Sequence, residues 1–490
     1  MKIIEKNQSI PDQSTKISLM KRALILGQFF LIIFVYHILK DLKDTLVITA
    51  SDAGAEVIPF LKIWGMLPLA VFVSYLFSKI FQQFGREKTL YIFITSLLCF
   101  YAIFAFCLVP FSNELYLNHC ENYLKITLPF GCKGFISMIC HWIYSLFYLT
   151  AELWSMIILS VLFWGYVNEE TSLKQAKQFY PICMFIGNCA GIISGQTSRL
   201  ICQTLMNYVS WQQNLQVMIS LVIVCGLGIM GISYRLSLYG SSQTWKAEER
   251  PSISFKESLL GIFQSPQLLC IAIMVVGFGL TSNLFEVIWK ESVKNVYPLP
   301  HTYNAYMNQL TSLIGFLAVV MSLISRWIFK KISWSTIALL TPITLCGVCV
   351  IYFTTLHLSD KHLSALSTWF HMSPVYLIMT IGSFYYVLGL TAKYTIFDMS
   401  KEMAFLAISA DVRTRAKSII DSIGSRLGKS GASSIYQVLF ITFGSTAGHV
   451  SFIGIFSILI IALSIGATKR LGHHLLKKGE NYESIAKANQ

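Results

Sequence analysis

Apolar runs of about 20 residues recur along almost the whole chain, and this fixes the class of fold. A helix needs about that many apolar residues to cross the hydrocarbon layer of a bilayer. A membrane-spanning barrel would instead show short segments of alternating polarity. The runs fall at 22–50, 57–83, 88–110, 137–166, 178–206, 213–238, 265–293, 303–329, 333–357, 374–399, 414–443 and 447–468. With 54% hydrophobic and 13% charged residues, they predict an all-α polytopic membrane protein of about twelve transmembrane helices. The first 20 residues are polar, with neither an apolar core nor a small-residue cleavage site, so the first span is expected to serve as the insertion signal.

The formal net charge is +14, which by itself fits either nucleic-acid binding or membrane topology. The distribution decides for topology. Of the 38 Lys and Arg, 26 lie in alternate connecting segments, from Lys2–Arg22 through Lys79–Lys88, Lys174–Lys177, Arg235–Lys256, Arg326–Lys331 and Lys401–Lys417 to Lys469–Lys487. The intervening segments hold only Lys125, Lys133, Lys294 and Lys361. The positive-inside rule places the rich set, and with it both termini, in the cytoplasm. No nucleic-acid partner is needed.

Eight cations remain within spans or at their edges: Lys40, Lys43, Lys62, Arg199, Lys290, Lys393, Arg426 and Lys429. Lys62, Arg199 and Lys290 lie close enough to span ends for their stems to carry the charge to the interface. Lys43 and Lys429 do not. Glu152 lies in mid-span, and Asn283, Glu286 and Lys290 share one helical face beside Trp289. A charge at bilayer depth costs about 3 kcal/mol or more unless it meets a partner or a watery path. Several such charges with lysine in excess predict a polar cavity for an anion. In Lys40-Asp41-Leu42-Lys43-Asp44, Lys40 and Asp44 are i,i+4 partners, so a self-neutralising collar competes with a cationic cavity wall.

The two halves repeat weakly at an offset of about 240 residues. Ala176-Lys177-Gln178 returns as Ala416-Lys417-Ser418, Gly187-Asn188 as Gly428-Lys429, and Lys43 falls opposite Glu286. Two six-span halves around a midplane site form the major-facilitator plan. The expected divisions are a tail at 1–21, a half at 22–238, a linker at 239–264, a second half at 265–468 and a tail at 469–490.

Other motifs carry less. Gly226-Leu227-Gly228-Ile229-Met230-Gly231 fits GxGxxG but lies inside an apolar span with no strand before it, which reads as close helix packing. Gly428-Lys429-Ser430 lacks the spacing of a phosphate-binding loop. The twelve cysteines show no metal-ligand spacing, and no Ser/His/Asp set stands out, so neither cofactor nor metal is expected. Cys120 and Cys132 share an outer loop, which leaves a disulfide between them open.

Five stretches together resemble one family: Lys40–Val47 followed by Glu56–Lys62; Ala151–Trp154 with Leu162–Gly165; Asn283–Lys290; Lys393–Asp398 with Lys401–Ala404; and Leu427–Gly431. In this order they resemble the bacterial and plastidic nucleotide transporters, the ATP/ADP translocase family. The resemblance implies nucleotide exchange in the cell membrane of an intracellular bacterium, importing host ATP against ADP, by a chain expected to act as a monomer. It ties Lys43, Glu152, Glu286 and Lys429 to transport. Lys40 stands where ATP/ADP exchangers usually carry arginine, and Ala432 where they carry a second glycine.

Under alternating access, Lys43 and Lys429, helped by Lys40 or Arg426, are expected to bind the phosphates. Glu152, Glu286 and Asp44 are expected to pair with them in the empty site or to carry a coupling proton. Tyr36, Phe163, Asn188, Asn283 and Tyr385 are candidates to contact the base. Three alternatives stay open: proton symport of GTP, CTP or UTP; transport of another phosphorylated anion such as a dinucleotide or sugar phosphate; and a membrane-embedded enzyme acting on lipid-linked phosphates, for which no catalytic cluster is found.

Overall fold

The computed structural model describes residues 13–171, 173–205, 208–239, 261–406, 408, 420, 424–444 and 450–488. Among these residues the chain is helical throughout, with no strand. The linker expected at 239–264 lies mostly outside them. Among the described residues, nine helical segments are long and apolar enough to cross a bilayer. One of them, Val57–Leu108, has 52 residues, and at ~1.5 Å per residue that is more than twice the ~30 Å hydrocarbon layer. It is broken at Gly85, whose φ of 73° and ψ of 176° are non-helical. Glycine alone takes that conformation without strain.

We number the long helices α1 (Gln13–Ile48), α2 (57–84), α3 (86–108), α4 (Trp142–Asn168), α5 (Leu173–Leu205), α6 (Trp211–Leu238), α7 (Pro266–Val296), α8 (Pro300–Lys331), α9 (Trp334–Leu356), α10 (Pro374–Phe405), α11 (Ser425–Phe443) and α12 (Val450–Ala488). Helices α5, with 33 residues, and α11, with 19, are long enough but too polar to be among the nine. Serines start several helices. Ser210 makes a capping box with Gln213, while Ser265, Ser333 and Ser373 each accept a backbone N–H at an N-cap. Residues such as Val224, Leu227, Ile351, Leu459 and Leu463 remain exposed, as a lipid-facing surface requires.

The buried apolar residues form separate cores. One joins α1 to α6, and another joins α7 to α12. The second core also takes in Val47 to Leu61, the end of α1 and the turn into α2. That crossing closes the end of the molecule which the charge distribution assigns to the outside. Glu291 Oε2 accepts from the Ala55 backbone N–H at 2.8 Å, and Lys294 donates to the Ala53 carbonyl. Gln437 donates to the Pro59 carbonyl at 3.0 Å and accepts from the Trp64 indole at 3.2 Å. Gly131 sits so close to α11 that a Cβ there would collide with the Phe440 carbonyl. In the same outer loop all the cysteines are free thiols, and Cys120 lies against Cys140.

The two cores also meet along α5 and α8. A Cβ on Gly315 would lie 2.9 Å from the Asn188 carbonyl, and one on Gly195 2.5 Å from that of Asn308. Glycine lets these backbones touch.

Gly131→Leu is expected to force the outer closure apart. In that background a cysteine at Gln437 should react with a membrane-impermeant maleimide from outside, whereas the same cysteine with Gly131 intact should stay protected.

Candidate functional site

At the middle of the molecule α1, α2, α4 and α7 each contribute charge to one continuous chain of ion pairs. Glu152 of α4 lies 3.0 Å from Lys43 Nζ of α1. Lys43 lies 2.8 Å from Asp44 Oδ1. The other oxygen of Asp44 lies 2.7 Å from Lys290 Nζ of α7, which is 2.6 Å from Glu286 Oε1. Glu286 Oε2 is 3.8 Å from Lys62 Nζ of α2, and Lys62 donates to Asn283 Oδ1 at 2.7 Å. The alternation of sign satisfies every charge in a setting where an unpaired one is costly.

Local sequence explains the arrangement. Residues 283, 286 and 290 recur on one helical face, so α7 presents Asn283, Glu286 and Lys290 together. Lys62 sits in a π-helical stretch, Leu61–Met66, and Glu152 lies two residues before another, Trp154–Phe163. Such wide turns re-aim side chains and are frequent at functional sites.

Exposure grades along the chain. The side chains of Lys290, Asp44 and Lys43 are 2%, 3% and 8% exposed, whereas Lys62, Glu286 and Glu152 reach 19%, 23% and 29%. The centre is dry and the ends are partly exposed. Lys429 of α11 is exposed, lies within electrostatic reach of Glu152 and Lys62, and makes no ion pair among the described residues. Lys43 also sits 3.9 Å over the Tyr148 ring, a cation–π contact within the same cluster.

Lys43, Glu152, Glu286, Asp44, Asn283 and Lys429, singled out in the sequence, are thus brought together. Lys40 lies 5.6 Å from the centre of the Tyr386 ring, which stacks on Trp289 at 4.2 Å. Tyr36 lies among Lys40, Lys43 and Glu152. Arg426 is exposed one turn before Lys429 on α11. Asn188 contributes its carbonyl to the α5–α8 contact. Phe163 and Tyr385 are buried in packing stacks, Phe163 on Phe29 at 4.8 Å and Tyr385 on Phe285 at 3.7 Å. Two residues differ from the sequence-based expectation. Lys62 and Lys290 turn inward instead of reaching for the interface, because Glu286 offers both of them a partner there. The i,i+4 spacing of Glu286 and Lys290 was the available signal.

Comparison with known proteins decides the family. The family model described as "TLC ATP/ADP transporter" matches residues 14–475. The chain belongs to this family. ADP,ATP carrier protein 2 of Chlamydia pneumoniae is 34% identical over 467 residues, covering 90% of this chain and 86% of its own. ADP,ATP carrier protein 2, chloroplastic, of Arabidopsis thaliana is 33% identical, covering 93% and 75%. Among solved structures, a bacterial homologue of the iron transporter ferroportin in its inward-facing state superposes with a TM-score of 0.60 at 10% identity, covering 93% of this chain and 99% of its own. The nucleoside transporter NupG gives 0.51 at 10% identity, covering 92% and 98%. These likenesses establish the major-facilitator type of fold, and the TLC family member is a multi-pass membrane protein.

The ion-pair chain makes the central lysine costly to remove from this family member. Lys290→Met leaves Asp44 and Glu286 short of a partner, with an expected loss of about 3–5 kcal/mol. Lys290→Met combined with Asp44→Asn is expected to lose less than the single variant. Thermal unfolding of the detergent-solubilised protein reads the difference.

Proposed function

We propose that this protein exchanges nucleoside tri- and diphosphates, such as ATP and ADP, across the cell membrane of an intracellular bacterium by alternating access. The observation that carries the reading is the ion-pair chain linking α1, α2 and α4 to α7, with Lys429 facing its open end. The relatives named as ADP,ATP carriers support the choice of cargo. The proposed architecture is twelve crossings with both termini cytoplasmic.

The carboxylates act as internal stand-ins for phosphate. Two unit charges 4 Å apart attract by about 4 kcal/mol at an effective dielectric of ~20. Separating Asp44 from Lys290, or Glu286 from Lys62, without replacement therefore resists reorientation of the empty carrier. A polyphosphate that takes Lys43, Lys62 and Lys429 releases Glu152 and Glu286, so charge pairs are exchanged instead of broken. The loaded carrier can then separate its outer contacts while the empty one is held. That difference produces exchange.

Proteoliposomes loaded with ADP are expected to take up labelled ATP, and empty ones to take up little. Lys43→Ala and Lys429→Ala are each expected to reduce uptake at least tenfold. Wild-type rates in both variants would overturn the site. Uptake driven by an imposed proton gradient into empty vesicles, with GTP, CTP or UTP, would replace exchange by symport.

A further inference from the structure

Beside the ion-pair chain, α1, α5 and α8 bury a second polar group. Asp41 is fully buried, and one of its carboxylate oxygens accepts from Thr311 Oγ1 at 2.6 Å. Its other oxygen, Oδ1, has no partner. On α8, Asn308 is buried with its amide nitrogen given to Asn304, leaving its own Oδ1 without a partner. On α5, Ser194 and Ser198 are buried, and neither hydroxyl makes a hydrogen bond.

These residues lie at one level of the seam. Gly195, between the two serines, meets the Asn308 carbonyl and Ser312 of α8, and Asp41 reaches Thr311 of the same helix. One turn outward, Thr45 of α1 donates to Asn304 Oδ1 at 3.2 Å. Buried polar atoms are nearly always paired, and a dry one is destabilising. The four atoms without a partner at this level are oxygens, from a carboxylate, an amide and two hydroxyls, while His37 Nδ1 one turn back on α1 and Arg199 Nε on α5 are also buried without one. The four oxygens are the donor set of a hard cation.

We infer that Asp41, Asn308, Ser194 and Ser198 hold a small monovalent cation, an alkali ion or a proton, in the seam between the two halves. The charged groups near Asp41 are Lys40 and Asp44 of its own helix and Lys290 of α7, and α8 gives it the Thr311 hydroxyl; on α5 the residue after Ser198 is Arg199, whose Nε is buried without a partner. His37, one turn back on α1, packs its ring against Gly191 of α5. Neutralising Asp41 leaves the neighbouring lysines in excess, which favours an anionic cargo. The site is complete only while the seam is closed, because α1 and α5 supply three of its residues and α8 the fourth. A bound cation therefore stabilises the outer-closed state, and opening the seam exposes it.

The test uses the purified full-length protein without nucleotide, so its failure leaves the nucleotide reading untouched. Thermal unfolding is followed in lithium, sodium, potassium and choline chloride at equal ionic strength and pH. A pH-indicator dye follows proton uptake in choline. The expected result is a saturable rise in Tm with one alkali ion, or uptake of a proton, lost in Asp41→Asn and weakened in Ser194→Ala/Ser198→Ala. The serine variant keeps the test decisive if Asp41→Asn does not fold. Equal Tm values in all four salts, together with no proton uptake that Asp41→Asn or the serine variant removes, would show that water alone fills the seam and would overturn the inference.

Discussion

Asp44 is buried between two lysines, and the two halves of the molecule meet through it. Lys43 comes from its own helix and Lys290 from α7, each within 2.8 Å. None of the three is stable in a low-dielectric interior alone, because removing one partner leaves an uncompensated charge. Each half is therefore electrostatically incomplete without the other. Apolar packing builds the separate cores, but lipid is as apolar as leucine and gives helices little reason to choose one partner over another. The ion pairs supply that choice, and they bring the charged residues of four helices to one place.

The same arrangement separates a held end from a free end. Outside, the contacts are hydrogen bonds between side chains and backbone and close helix approach, as at Ala55, Pro59 and Gly131. At the centre the charges are nearly dry. Toward Glu152, Glu286 and Lys62 they become half-open, and Lys429 stands exposed beyond them. In the proposed exchange, an arriving anion meets Lys429 first and reaches the dry pair last. The gradient of exposure is thus also an order of events, in which the peripheral pairs exchange partners before the central one is asked to.

Much of this was legible in the sequence for definite reasons. Long apolar runs and the clustering of Lys and Arg are properties of the chain alone, and the helices follow the runs. Lys43 and Glu286 fall opposite each other at the offset of about 240 residues read in the sequence, and both belong to the ion-pair chain. Lys62 and Lys290 were misjudged because distance from a span end does not tell which face of the helix a side chain takes; for Lys62 that depends on Glu286 across the interface, and for Lys290 on Asp44 across it and on Glu286 one turn back on its own helix. Phe163 and Tyr385 could not be told from cavity-lining aromatics, since stacking on Phe29 or Phe285 is decided by packing. The unpartnered oxygen of Asp41 was invisible for the same reason, as it depends on where α5 and α8 lie.

The central claim is that the pair between Asp44 and Lys290 holds the empty carrier. Asp44→Asn tests it most directly. Proteoliposomes preloaded with labelled ATP are diluted into nucleotide-free medium, and efflux is followed. If the pair is the hold, the substituted carrier returns empty and loses label well above the wild-type rate, while still binding nucleotide. If label stays inside until external nucleotide is added, as in the wild type, the pair does not hold the empty carrier and the account is wrong.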